Sequence, residues 1–317
     1  MWRNGRRVRL KIEYSQGCGG SSPLSGTLNE LKGSERIYIF MKKKPKIIVI
    51  CGPTATGKSD YAVKIAKEIG GEIISADSRQ VYKGLDIGSG KITTREMKGI
   101  FHHLLDVISP KKVFTVFDYV KLADKKIKEI LSRNNIPIIC GGTGFYIDTL
   151  VYESDFPIVP INKTLRKKLE KNLPEENYQK LLILDPKRAS TIDAQNNIRL
   201  IRAIEIAEAL GSVPKINRKK KYNVDWHYLD FPDDILKKRI HDRLIKRMRG
   251  GKMTKEVEEL HIKGLSWKRL ESLGLEYRYI ALYLQNKMTK SKMLKQLELA
   301  IWHYAKRQRT WFKKYAK

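Results

Sequence analysis

The chain is short of acid. Its 317 residues include 34 Asp and Glu against 64 Lys and Arg, a formal charge of +30 at pH 7. Solubility alone asks for no such excess, whereas a polyanionic partner does, and nucleic acid is the working expectation. A lysine-rich compositional bias is the plainer alternative. The chain is also short of cysteine. Cys18, Cys51 and Cys140 are too few and too scattered for a disulfide framework or a Cys-x-x-Cys zinc site. Cys51 and Cys140 each end an apolar run and read as buried thiols in a reducing compartment, with the cytoplasm expected. No apolar run approaches the roughly 20 residues needed to cross a bilayer, so no membrane partner is expected. The basic N-terminus lacks the apolar stretch of a secretory signal. The adjacent His102 and His103 read as packing or surface residues, His227, His241, His261 and His303 have no ligand spacing among them, and none is assigned to a metal. A hydrophobic share of 41% and a charged share of 31% exclude wholesale disorder.

What is present divides into three textures. Residues 1–44 are basic and hold no helical or strand period, with a Gly-Cys-Gly-Gly-Ser-Ser-Pro run at 17–23. They read as an N-terminal extension, of which residues 1–40, ahead of Met41, are dispensable or a start-site artefact. From Pro45, apolar strands at 47–51, 72–76 and 136–140 alternate with helical periods at 60–69 and 116–131. That alternation predicts a parallel α/β sheet with its site at the strands' carboxyl ends. Residues 152–225 differ. Pro157, Pro160, Pro174, Pro186 and Pro214 fall between helical stretches at 163–172 and 197–210, and no strand is evident before 226–230. This predicts an all-helical insertion, with the α/β core formed by 45–151 and 226–317. Further helices are expected at 233–249, 275–285 and 291–313.

The sharpest motif is Gly52-Pro53-Thr54-Ala55-Thr56-Gly57-Lys58-Ser59, a G-x-x-x-x-G-K-[ST] phosphate loop between a strand and a helix. Its glycines let successive N–H groups and the helix N-terminus face phosphate oxygens, Lys58 adds charge, and the Ser59 hydroxyl suits Mg²⁺. A di- or triphosphate is the expected ligand. ATP hydrolysis would ask for an apolar strand ending in Asp. The strand at 136–140 ends instead in Gly141-Gly142-Thr143-Gly144. Asp77, after the strand at 72–76, is the one acid in a comparable place, and the residues alone leave it open as metal ligand or general base.

Two basic helices add to the picture. Lys237, Lys238, Arg239, Arg243, Lys246, Arg247 and Arg249 lie on one, and the last interleaves Trp302, Tyr304, Trp311 and Phe312 with Lys306, Arg307, Arg309, Lys313 and Lys314. Together they suit backbone tracking and base stacking on RNA.

GPTATGKS (52–59), ISADSRQVYKGLDIGSGK (74–91), FHHLLDV (101–107), IPIICGGTGFY (136–146) and AKRQRTWF (305–312) together resemble the tRNA dimethylallyltransferase (tRNA isopentenyltransferase) family over about residues 45–317. The resemblance implies a P-loop NTPase-like fold and transfer of a dimethylallyl group from its diphosphate to N6 of adenosine 37 in tRNA. It implies Asp77 as the general base, with Lys58, Mg²⁺ held by Ser59, the loop 52–59 and Arg243 stabilising the diphosphate. It implies tRNA contacts at Asp77, Ser78, Arg79, Gln80 and Thr143, and at Ile198, Arg199, Leu200, Ile201 and Arg202. A monomer is expected. Departures are visible. Ser59 replaces the commoner Thr, Asn197-Ile198 replaces Pro-Gln, and Gly90 and Ile92 replace Ala and Pro. The chain ends without a zinc finger, which favours a bacterial-type enzyme.

Three rivals share the phosphate loop. A small-molecule kinase has no use for the basic tail or the ADSRQ run. An RNA-binding ATPase would show a strand-terminal Asp. An adenylate isopentenyltransferase needs neither the helical insertion nor the charge.

Overall fold

The computed structural model describes residues 44–154 and 156–316. The expected N-terminal extension, Lys44 apart, therefore lies outside the described residues. The described strands are β1 (Lys46–Cys51), β2 (Gly71–Ser75), β3 (His102–His103), β4 (Ile136–Cys140), β5 (Tyr152–Ser154), β6 (Arg218–Lys220) and β7 (Asn223–Tyr228). Five form one parallel sheet in the order β3-β2-β4-β1-β7. Its helices are α1 (Lys58–Ile69), α2 (Thr94–Met97), α3 (Val116–Ser132) and α4 (Gly144–Val151).

β1 has the unbroken apolar sequence of a strand covered on both faces. Ile47, Val49 and Cys51 face one side, with Tyr119, Ala123, Ile127 and Ile130 of α3 in the same core. Ile48 and Ile50 face the other, with Ala62, Val63 and Ala66 of α1. The buried carboxylate of Glu72 ties β2 to the foot of the sheet. It accepts hydrogen bonds from Arg133 Nη2 at 2.8 Å and Asn135 Nδ2 at 2.8 Å, and contacts His103 Nε2 at 2.7 Å. His103 is thus a structural partner. Cys51 and Cys140 are buried, and burial pushes both thiols up to about 12, so neither is a nucleophile at neutral pH.

The chain between β4 and β7 holds α5 (Lys163–Leu169), α6 (Pro174–Leu184), α7 (Pro186–Ala189) and α8 (Asn197–Leu210) around a core of its own that includes Leu169, Leu181, Leu200 and Ile204. Pro174 and Pro186 open helices at N1, where a missing N–H costs nothing, rather than interrupting them. A short antiparallel ribbon, β5 with β6, forms its neck. The sequence gives no sign of β6, because Arg218, Lys219 and Lys220 are all exposed and basic.

After β7 come α9 (Asp233–Met248), α10 (Lys252–Ile262), α11 (Trp267–Ser272), α12 (Leu275–Leu284) and α13 (Lys290–Phe312). These pack with Val81, Tyr82 and Leu85 in a fourth core, which fixes the long loop after β2 against the helical layer. No described helix is long and apolar enough to cross a membrane.

Candidate active site

The loop 52–59 leaves the carboxyl end of β1 and enters α1 through Gly57, whose φ of 85° is a left-handed turn open to glycine. The Thr56 hydroxyl donates to the Pro53 carbonyl at 2.9 Å, and Lys58 Nζ donates to the same oxygen. Gly52, Pro53 and Thr56 are buried, Thr54, Ala55, Gly57 and Lys58 half-buried, and Ser59 exposed at the head of α1. Burial pushes the Lys58 ammonium down to about 8, and the Arg243 charge acts in the same direction.

Asp77 stands just past β2. Its Oδ1 accepts the amides of Arg79 at 2.8 Å and Gln80 at 3.3 Å, an Asx-type turn, and Oδ2 has no hydrogen bond among the described residues. The Thr143 hydroxyl accepts the Ser78 amide at 3.1 Å, and the Thr143 amide donates to the Ala76 carbonyl at 3.1 Å. Gln80 Nε2 donates to the Gly90 carbonyl at 3.3 Å. Loops from adjacent strands β2, β4 and β1 thus meet in one crevice at the carboxyl edge of the sheet.

One buried side chain from α13 joins them. Gln308 accepts the Thr54 amide at 2.8 Å and donates to the Gly142 carbonyl at 2.9 Å. Glycine is required opposite this helix, because a Cβ at 142 would lie 2.2 Å from Gln308 Nε2 and one at 144 would lie 2.3 Å from Trp311 Cδ1. The sequence flagged Gln308 only as part of AKRQRTWF.

Arg239, Arg243 and Arg247 recur at four-residue spacing and share one face of α9. Arg239 Nε donates to the Ala55 carbonyl at 2.6 Å, and Arg243 Nη1 donates to the Thr54 hydroxyl at 3.0 Å. Arg247 Nη1 reaches the Gly88 carbonyl at 3.4 Å and Glu276 at 3.5 Å. Burial, with Arg247 as a like-charged neighbour, pushes Arg243 down to about 10. The loop they face is itself pinned by Glu256, whose carboxylate accepts the amides of Asp86, Ile87 and Gly88 at 3.2, 2.6 and 3.0 Å and the Tyr277 hydroxyl at 2.8 Å. Neither Glu256 nor Glu276 stands out in the sequence. Their partners come from distant segments.

Several expected RNA contacts need correction. The α9 arginines 239, 243 and 247 turn toward the phosphate loop and the loop at 88–90 rather than forming an outer basic face. In α13, Phe312 is fully buried, and Arg309 is held by Asp230 at 2.8 and 3.0 Å and by Asp233 at 2.5 Å. Trp302 lies under Lys237 and Lys306, 5.0 and 5.7 Å from ring centre to nitrogen. Lys306, Arg307 and Lys313 stay exposed. Residues 198–202 lie on α8, which packs in the helical segment's own core. Leu200 and Ile201 are buried in that segment's core because their helical phase points inward, so neither side chain is open to RNA. Arg202 is held by Glu205 at 2.8 Å and the Val159 carbonyl at 2.9 Å. Ile198 and Arg199 are exposed.

Among the described residues no group of three or more His, Cys, Asp or Glu is arranged to hold a metal ion. Ser59 offers a single hydroxyl, which matches Mg²⁺ shared with phosphate oxygens and water rather than an all-protein cage.

Residues 80–315 match the family model described as IPP transferase. The chain is 43% identical to tRNA dimethylallyltransferase 2 of Treponema denticola, over 88% of this chain and 95% of that protein. It is 38% identical to tRNA dimethylallyltransferase of Anoxybacillus flavithermus, over 84% and 87%. Among solved structures, full-length tRNA isopentenylpyrophosphate transferase of Bacillus halodurans superposes with a TM-score of 0.64 at 34% identity, over 85% of this chain and 87% of that one. A eukaryotic dimethylallyltransferase acting on tRNA gives a TM-score of 0.68 at 25% identity, over 84% and 70%. With the phosphate loop, the Asp77 turn and the Gly141–Gly144 turn converging on one crevice, the chain belongs to the tRNA dimethylallyltransferase family.

Proposed function

We propose that this protein transfers the dimethylallyl group of dimethylallyl diphosphate to N6 of adenosine 37 in tRNA, leaving diphosphate. The observation that carries the proposal is the pairing, in one crevice, of a carboxylate with a free oxygen and a cationic phosphate cradle. The adenine N6 lone pair attacks the terminal allylic carbon, the carbon–oxygen bond breaks, and its electrons leave with the diphosphate. Asp77 Oδ2 takes the N6 proton, while Oδ1 stays fixed by the Arg79 and Gln80 amides. Thr143, which accepts the Ser78 amide, and Gln80, which donates to Gly90, hold the loop that presents Asp77. Lys58, Arg239 and Arg243 face the leaving group from two elements, in a site dry enough to lower the Lys58 and Arg243 pKa values. Mg²⁺ would be held by the Ser59 hydroxyl, and when bound it adds charge neutralisation at the diphosphate.

The adenine must leave its stack to reach Asp77, and contacts to the anticodon stem-loop offset that cost. We assign this role to the segment 152–225 ahead of β7, with Ile198 and Arg199 as the exposed residues at the start of α8, and the chemistry to 45–151 with β7 and 226–317. Residues 1–44 are an extension with no part in it. The enzyme acts as a cytoplasmic monomer.

The test mixes protein, Mg²⁺ and dimethylallyl diphosphate with anticodon stem-loops carrying A37 or G37 and weighs the RNA. Gain of one C5H8 unit by the A37 loop alone is expected. Prenylation of free AMP, or ATP turnover with neither loop modified, would move the protein to one of the rival activities.

A further inference from the structure

The structure shows what occupies the space beside Gly90. A Cβ at position 90 would lie 1.5 Å from Arg247 Nη2 and 2.3 Å from Arg243 Nη2. Two guanidiniums therefore stand side by side against the bare backbone of Gly90, which has a φ of +61°. Arg243 reaches the phosphate loop through Thr54, while Arg247 uses its other amino group on Gly88 O and Glu276. Both Arg247 and Glu276 are nearly buried, with side chains 15% and 16% exposed.

Lys58, Arg243 and Arg247 converge here. Glu276 pairs with Arg247, and the charges of Asp77 and Glu96 are felt at Arg243, but among the described residues neither Lys58 nor Arg243 is ion-paired with a carboxylate. Neighbouring buried cations repel one another unless an anion lies between them. The Nη2 ends of Arg243 and Arg247, turned together at Gly90, supply two such donors on the same side.

We propose that Arg247 is a second guanidinium ligand of the donor's diphosphate, that Glu276 positions it, and that glycine at 90 is what admits it. The inference rests on the reading of the crevice as a diphosphate site. It adds a residue that Arg243 and the phosphate loop do not account for.

The test is a double-mutant cycle on Gly90→Ala and Arg247→Gln, read by calorimetric binding of inorganic diphosphate with Mg²⁺ and by single-turnover transfer to the A37 stem-loop. Arg247→Gln is expected to weaken diphosphate binding about tenfold, the loss of one charge-assisted contact. Stem-loop affinity should stay within twofold. Gly90→Ala carries strain at its positive φ whichever residue stands at 247, so the cycle removes that contribution. The account expects Gly90→Ala to cost diphosphate affinity in the parent and much less beside Arg247→Gln. Glu276→Gln should weaken diphosphate binding less than Arg247→Gln, and added diphosphate should restore part of its lost thermal stability. Diphosphate binding by Arg247→Gln within twofold of the parent, or strict additivity of the two substitutions, would overturn the proposal. Failure of the parent protein to bind diphosphate at all would instead overturn the reading of the crevice, so the two failures are distinct.

Discussion

The crevice and the helical segment between β4 and β7 solve different problems. In the crevice, loops from three strands and side chains from α9 and α13 approach so closely that a Cβ at Gly142, Gly144 or Gly90 would meet Gln308, Trp311 or Arg247 where they stand. Charged groups there are buried and converge on one space. The helical segment has a small ordinary core, and its buried carboxylates are answered within the segment: Asp185 accepts the amides of Arg188 and Val213, and Glu205 is held by two arginines. Arg166 donates to Glu205 at 2.7 Å through two nitrogens, Arg202 at 2.8 Å and the Asn162 amide at 2.9 Å. Apolar side chains stay on its surface, among them Ile183 at 84% and Ile198 at 83% exposed. The comparison teaches that bond-making demands fixed atoms and unbalanced charge, whereas a surface for a large ligand needs a stable, self-neutralised scaffold.

Substitutions should separate the two regions, and the largest effect belongs to the crevice. Asp77→Asn should slow single-turnover transfer by about 10³, within the range for losing a general base, with diphosphate affinity within twofold. Transfer within a few-fold of the parent would remove Asp77 from the reaction. Raising salt from about 50 to 200 mM should weaken stem-loop binding by a factor of order 10³ if six or more phosphates are neutralised. A flat response would end the polyanion argument.

Glu205 sharpens the contrast. Burial alone would raise its pKa, but Arg166, Arg202 and the Asn162 amide outweigh that and hold it down to about 2. A folded pKa below the unfolded value gives stability that is fully present above about pH 4.5 and lost as pH falls toward about 2. Glu205→Gln should cost about 3 kcal/mol in denaturant unfolding at pH 7, the range for breaking a buried pair, and should leave diphosphate binding unchanged. A loss of diphosphate affinity would mean that the two regions are coupled.

Gln308→Ala should cost about tenfold in diphosphate affinity by unlinking the Thr54 and Gly142 turns. Lys58 gives an effect that depends on pH. Its charged form is lost as pH rises through about 8 in the free protein, so diphosphate affinity should fall up to about tenfold per pH unit above that. Lys58→Gln should abolish that slope.

Much of the crevice was legible in the chain, because a phosphate loop and a run such as ADSRQ are local and tied to strand ends. The β1, β2 and β4 strands appeared as short apolar runs because both faces of the sheet are covered. What escaped was long-range. Gln308 lies 166 residues from Gly142, and Glu256 lies 168 from Gly88, so neither contact leaves a periodic trace. Arg247 did carry a local signal, its four-residue spacing from Arg239 and Arg243, but spacing alone does not say which way a helix faces. The helices at Pro174 and Pro186 were hidden by prolines that begin helices. The aromatics of α13 were misleading because Phe312 and Trp311 pack inward, as the same spacing equally allows.

The central claim is that Asp77 and the phosphate loop are two ends of a single reaction path. The most direct measurement is a crystal structure of the protein with Mg²⁺, an A37 anticodon stem-loop and an unreactive thio-analogue of dimethylallyl diphosphate. The account predicts adenine N6 within hydrogen-bond reach of Asp77 Oδ2, with the diphosphate oxygens in the loop 52–59 and the allylic carbon between them. Adenine bound elsewhere, with Asp77 facing only protein or solvent, would contradict it.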